Sequence, residues 1–239
     1  MVSLFSRRRP RADVPRLKPR RESVAQADRV DIAELTPALL PYLGQAAYVR
    51  LAQFETLSRA VTLAPTAASK ESVSRVAALA LARHHGLTEE IKHLGHEPGP
   101  AMAPFAASID EYARATLGSD WYEMLVTSYV TSGLLNDFQL QLAEGLPAES
   151  RARIISVLSG DDGHAMLIEE LHAAIDANPR LASRLALWGR RLVGDTLLIA
   201  RSSLVNPGHT NADEARLEPV FTKLIAAHTR RMDALGLTA

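Results

Sequence analysis

The stretch SGDDGHAMLIEEL, residues 159 to 171, carries acids and a histidine at a spacing that could do chemistry. Its pattern predicts a helix. Projected at about 100° per residue, that helix sets Ile154, Leu158, Ala165, Ile168, Leu171 and Ile175 on one face, and Asp161 and His164 fall inside the arc. An i, i+3 spacing puts both side chains on the same side one turn apart, close enough to bind a single ion. Asp162 projects about a quarter turn away and reads as exposed. A charge turned into a core is costly unless it is hydrogen-bonded, metal-bound or neutralised. The pair is therefore a set of metal ligands, a buried Asp–His hydrogen bond, or a partner for one of the chain's many arginines.

The same projection groups Val73, Val76, Ala77, Ala80, Leu87 and Ile91 with His84 near the centre of their face, while His85 points off it. His84 reads either as a ligand or as a hydrogen-bonded core histidine. Gly86, just beyond, weakens the helix and suits close packing or local opening. Glu55 lies at the margin of another apolar arc beside Leu51, and Glu123 and Asp137 share a stripe with Val130 on a helix that is apolar nearly all round. Toward the C-terminus, a face of Leu181, Leu185, Trp188, Leu192 and Ile199 admits Asp195, and a face of Leu217, Val220, Phe221, Leu224, Ile225 and Met232 admits His228. An Asp195–His228 hydrogen bond, or pairing of Asp195 with Arg191 or Arg231, is the expected arrangement there.

Other chemistries leave no trace. There is no cysteine, hence no disulfide, thiolate metal site or cysteine nucleophile. There is no G-x-S-x-G, glycine-rich phosphate loop or H-E-x-x-H. Any metal would have to use histidine and carboxylate ligands.

The elements that must position these residues are helical. No sustained period-two alternation argues for strands, so the fold class is all-α. Helices are predicted over about Pro41–Leu63, Lys70–Leu94, Ser119–Glu144, Ser150–Ala177, Leu181–Leu204 and Asp213–Leu235, with a short helix near Ile109. Two helical hairpins joined by a longer connection make a four-helix bundle with one crossover, about residues 41–177, and two additional C-terminal helices pack on it, about 181–235. Residues 36–239 are expected to form a single domain.

The 239 residues are 47% hydrophobic and 23% charged, as in a globular domain. No run of about 18 apolar residues predicts a transmembrane helix, and the N-terminus lacks the apolar segment of a signal peptide, so a cytoplasmic protein is expected. The formal net charge of zero conceals an asymmetry, because residues 1–29 hold 9 basic and 3 acidic residues. That proline-punctuated, Arg-rich tail is expected to be disordered. It either folds back on the acidic body or binds a nucleic-acid backbone.

The three segments YVRLAQFETLSRAVTLAPTAASKESVSRVAALALARHHGLTEEIKHLG, DWYEMLVTSYVTSGLLNDF and VLSGDDGHAMLIEEL together resemble the ferritin-like family similar to MiaE-type tRNA hydroxylases, over roughly Tyr42 to Ile175. That resemblance implies a ferritin-like bundle with a non-haem di-iron centre that hydroxylates a modified tRNA adenosine. Glu55 would match the carboxylate of the first helix, His84 the histidine of the second, Asp137 a carboxylate of the third, and Asp161 with His164 the acid-x-x-His of the fourth. The metal motif is degenerate. Leu81 stands where an acid should precede His84, Asp161 is shorter than the family's Glu, and Ser132 stands where relatives carry an acid. Bridging carboxylates hold two metals together and balance their charge, so a mononuclear site or none becomes a realistic alternative.

Two readings follow. In one, Glu55, His84, Asp137, Asp161 and His164 bind iron or manganese in an oxygenase supplied with electrons by a separate reductase, with tRNA or another nucleic acid as partner through the tail. In the other, the chain is a non-catalytic helical scaffold that has lost its metals and works through a partner or as a homodimer.

Overall fold

The computed structural model describes residues 35–202 and 211–238, with side chains at 35–200 and 220–238. The Arg-rich segment 1–29 lies outside the described residues, as does most of the break expected between Leu204 and Asp213. Among the described residues there are eight helices and no strand: α1 (Leu39–Leu63), α2 (Ala67–His93), α3 (Pro98–Ala115), α4 (Trp121–Ala143), α5 (Ala148–Leu158), α6 (His164–Ala177), α7 (Arg180–Ser202) and α8 (Asn211–Ala234). The fold is an all-α bundle of α1, α2, α4 and the α5–α6 pair, with α3 as the crossover and α7 and α8 packed on α4.

Local chemistry explains most boundaries. Thr66 caps α2 by accepting from the Ser69 amide at 3.0 Å. Asp120 caps α4 in the same way at the Glu123 amide, and the Glu123 carboxylate reaches back to the Ser119 amide just ahead of the cap at 2.8 Å. Helix α4 carries little amphipathic bias because it is surrounded. It packs against α1, α5, α6, α7 and α8, and nearly every residue from Trp121 to Leu135 is buried. The indole of Trp188 on α7 donates to Thr127 at 2.9 Å, which docks the outer helix on this central one.

Two elements differ from the sequence expectation. The crossover is an 18-residue helix, where only a short one was expected near Ile109. Pro98 sits in its first turn, where no amide partner is needed, and internal Pro104 is tolerated because Phe105, Ile109 and Tyr112 pack on the α1 side. The expected helix from Ser150 to Ala177 is broken at residues 159–163. Gly163 adopts φ 71°, and the Asp161 and Asp162 carboxylates accept from the amides of Gly163 and His164, each at 3.0 Å. The break changes the helical phase between Leu158 and His164, and with it which aspartate faces inward.

Close backbone approaches lock the bundle. Gly86 lies against Val157, which would sit 2.9 Å from a Cβ there, so this glycine serves the packing of α2 on α5. Gly44 on α1 faces the Ala101 backbone of α3, and Gly189 on α7 faces Met232 of α8. Among the described residues, no helix is long and apolar enough to cross a membrane.

Candidate functional site

The structure disperses the five expected ligands. Glu55 is exposed on α1 and lines a surface cleft with Tyr48, Arg59, Asp110 and Arg114. His84 is buried, and its Nδ1 donates to the Ala47 carbonyl at 2.9 Å, tying α2 to α1. Asp137 turns toward α8 and pairs with Arg231 at 2.7 Å. Asp161 is exposed in the α5–α6 linker, where it holds the Gly163 amide. His164 faces the middle of the bundle, where it meets Asp162 and Ser132. Among the described residues no three His, Asp or Glu side chains gather closely enough to hold a metal ion.

What occupies the bundle core is a cation. Arg50 on α1 is fully buried. Its Nη1 donates to Gln53 at 3.2 Å, and its Nη2 donates to Asn136 and Gln139 of α4 at 2.7 Å each. All three acceptors are neutral amide oxygens. Burial, reinforced by the nearby charge of Arg83, pushes the Arg50 guanidinium down to about 9, so it remains charged at neutral pH. Arg83 on α2 is also buried and donates to the Gly160 carbonyl of the linker; burial lowers it, while the charges of Asp162 and Asp161 act the other way.

Sequence reasoning missed this feature, although the signal was present. Leu43, Arg50 and Leu57 recur at seven-residue spacing, and all three are fully buried. Projection by apolar residues alone passed over the cation between the two leucines. Val76, Arg83 and Glu90 repeat the pattern on α2, and Glu90 is held by Arg153 of α5 at 2.8 Å.

The inward acid beside His164 is Asp162, which corrects the expectation of Asp161. Asp162 Oδ2 lies 3.0 Å from His164 Nδ1, and His164 Nε2 lies 2.8 Å from the Ser132 hydroxyl. A carboxylate only accepts, so Nδ1 donates. In the neutral ring, Nε2 then carries the lone pair that receives the Ser132 proton. Tyr129 packs edge-on against this imidazole at 5.0 Å. Burial alone would raise the Asp162 carboxyl, but the hydrogen bonds and charge of His164, with Arg83 beyond, outweigh it and bring it to about 2.

A depressed carboxylate stabilises the fold at pH above its unfolded value near 4, and that contribution is lost as pH falls toward 2. Urea unfolding of wild type and Asp162→Asn between pH 6 and 2 should therefore show a gap of up to about 2 kcal/mol that closes across this window. A gap that stays constant with pH would contradict the assigned pairing.

Ser132 also borders a narrow recess, with a free volume of about 40 Å³, between α1, α3 and α4. Val49, Ala52, Ile109 and Leu135 supply its apolar wall. Most hydroxyls around it are spoken for: Thr127 donates to Thr116, Thr131 to Thr127, and Tyr112 is paired with Thr196. Ser128 is different. It is 2% exposed, lines the recess, and its Oγ has no hydrogen-bond partner among the described residues.

The C-terminal pair resolves as one of the expected alternatives. Asp195 approaches Arg191 at 4.0 Å, as one of the expected pairings had it, and Arg231 is taken by Asp137. His228 is buried with both ring nitrogens unpartnered among the described residues; burial, together with the Arg231 charge, lowers its pKa and favours the neutral ring.

Residues 34–209 match the family model described as a ferritin-like domain of actinomycetes. The match spans most of the chain and coincides with the helical bundle, so the chain belongs to this ferritin-like family. A comparison with curated proteins finds no match.

Proposed function

We propose that this chain is a ferritin-like protein that works without a metal in its bundle, as a helical scaffold whose recess takes a small organic ligand. The observation that carries this reading is Arg50. Its guanidinium, together with that of Arg83, supplies positive charge to the interior of the bundle. A bound dication would be repelled by both, and the carboxylates needed to offset it are elsewhere: Glu55 and Asp161 are exposed and Asp137 is paired with Arg231. The donors present do not fit an iron or manganese pair.

The test is metal content by plasma mass spectrometry on untagged protein after anaerobic iron loading, beside an Asp161→Ala/His164→Ala variant. Iron and manganese are expected well below one per chain in both. Near-stoichiometric metal in wild type, lost in a variant that remains folded, would overturn this reading. It would favour instead the iron-dependent hydroxylase resembling the tRNA-modifying enzymes, for which family membership and the inward His164 speak.

A further inference from the structure

The hydrogen-bonded series Asp162, His164, Ser132 ends at the wall of the recess, and it runs in one chemical direction. Asp162 accepts from Nδ1, and Nε2 accepts from Ser132 Oγ at 2.8 Å. That polarity is what a serine nucleophile requires: a base positioned on its proton, and an acid holding the base in the right tautomer. The three residues come from α4, the linker and α6, so their meeting is a product of the helix break. The hydroxyl one turn before Ser132 on the same helix is that of Ser128, buried, facing the recess and unpartnered among the described residues. A buried hydroxyl without a partner costs stability unless a ligand or water meets it.

We propose that Ser132 is a catalytic nucleophile toward small apolar carboxylic esters, with His164 as general base and acid, Asp162 as its positioning residue, and Ser128 as a donor to the ester carbonyl. The recess wall of Val49, Ala52, Ile109 and Leu135 selects a short, uncharged acyl chain. As the Ser132 Oγ–carbon bond forms, the Oγ proton moves to His164 Nε2 and the carbonyl π pair moves onto its oxygen. When the carbonyl re-forms, the ester C–O bond breaks and the departing alkoxide takes the proton from Nε2. A water then attacks the acyl-serine in the same way, releasing the carboxylic acid and restoring Ser132. The proposal rests on the metal-free reading, because a metal on His164 would occupy Nε2.

The first experiment exposes the full chain to diisopropyl fluorophosphate and follows it by intact mass and peptide mapping, with metal content measured on the same samples. One phosphoryl adduct, located on Ser132, is expected. It should be absent in Ser132→Ala and form at least tenfold more slowly in His164→Ala. Asp162→Asn should slow it similarly, and Asp162→Glu should recover part of the rate, which a merely structural role would not produce. Because the chain has no cysteine, Ser132→Cys supplies a unique thiol. Its alkylation by iodoacetamide at neutral pH should exceed that of the Ser132→Cys/His164→Ala variant at least tenfold. Folded protein that stays unlabelled, or an adduct that maps elsewhere and survives Ser132→Ala, would overturn the nucleophile. Stoichiometric iron in the same samples would instead overturn the metal-free reading beneath it.

Discussion

Replacing Arg50 with alanine is expected to cost about 3 to 5 kcal/mol of folding stability, measured by urea unfolding with circular dichroism. The side chain is fully buried, so its removal opens a cavity between α1 and α4. It also strips a donor from the side-chain oxygens of Gln53, Asn136 and Gln139. The orphaned Gln139 oxygen is buried and costs about 1 kcal/mol or more, while those of Gln53 and Asn136 are half-buried and cost less. Part of this is offset, since the variant no longer buries a charge. Arg50→Met separates the terms. It keeps the stem and removes the charge, and it should lose only about 1 to 2 kcal/mol.

The pH dependence carries its own sign. A guanidinium held at about 9 in the fold, against an ordinary value above 12, means that the unfolded chain binds more protons between those limits. Stability should therefore rise in wild type relative to Arg50→Met as pH is raised from 8 toward 10.5. A flat difference would show that Arg50 is far better solvated than its surroundings imply.

Gly44→Val is expected to cost about 3 kcal/mol, and its damage should be local. A Cβ at this position would run into the carbonyl of Ala101, a backbone atom that no rotamer change can move aside, and it would press on the Phe105 ring at 3.3 Å. Helix α3 must then lift from α1. Hydrogen exchange should accelerate most at Ile109 and Tyr112, which hold the far half of α3 against its neighbours. Gly194→Ala on α7 is the control. No described residue lies within 4 Å of a Cβ there, so the better helix former should be neutral or stabilising by up to about 1 kcal/mol. Equal exchange across the bundle in Gly44→Val would argue that α3 is not held by this contact.

The helices with long apolar stripes and clear ends were readable from the chain alone. Expected starts and ends for α1, α2, α4, α7 and α8 fall within a few residues of those observed, because a 3.6-residue period and caps such as Thr66 and Asp120 are local properties. Helix α3 was underestimated because its prolines read as punctuation, although Pro98 occupies a first turn and Pro104 costs one backbone bond. The α5–α6 break was missed because the helical period around it continues on both sides. Its cause is one left-handed glycine and two aspartates that take up the free amides.

That break also governed the site. Carrying one helical phase through residues 159–163 turned Asp161 inward and Asp162 outward, and the linker does the opposite. Arg50 was passed over for a different reason: a projection that weighs only apolar residues cannot see a cation held by amide oxygens of another helix.

By itself the sequence determined an all-α four-helix bundle and the inward direction of His84 and His164, since periodicity and end signals act within a few turns of one helix. Only the tertiary structure decided what those histidines meet. The Ala47 carbonyl, Ser132 and the amides around Arg50 belong to other helices, and their distances are set by how the helices pack and where one of them breaks.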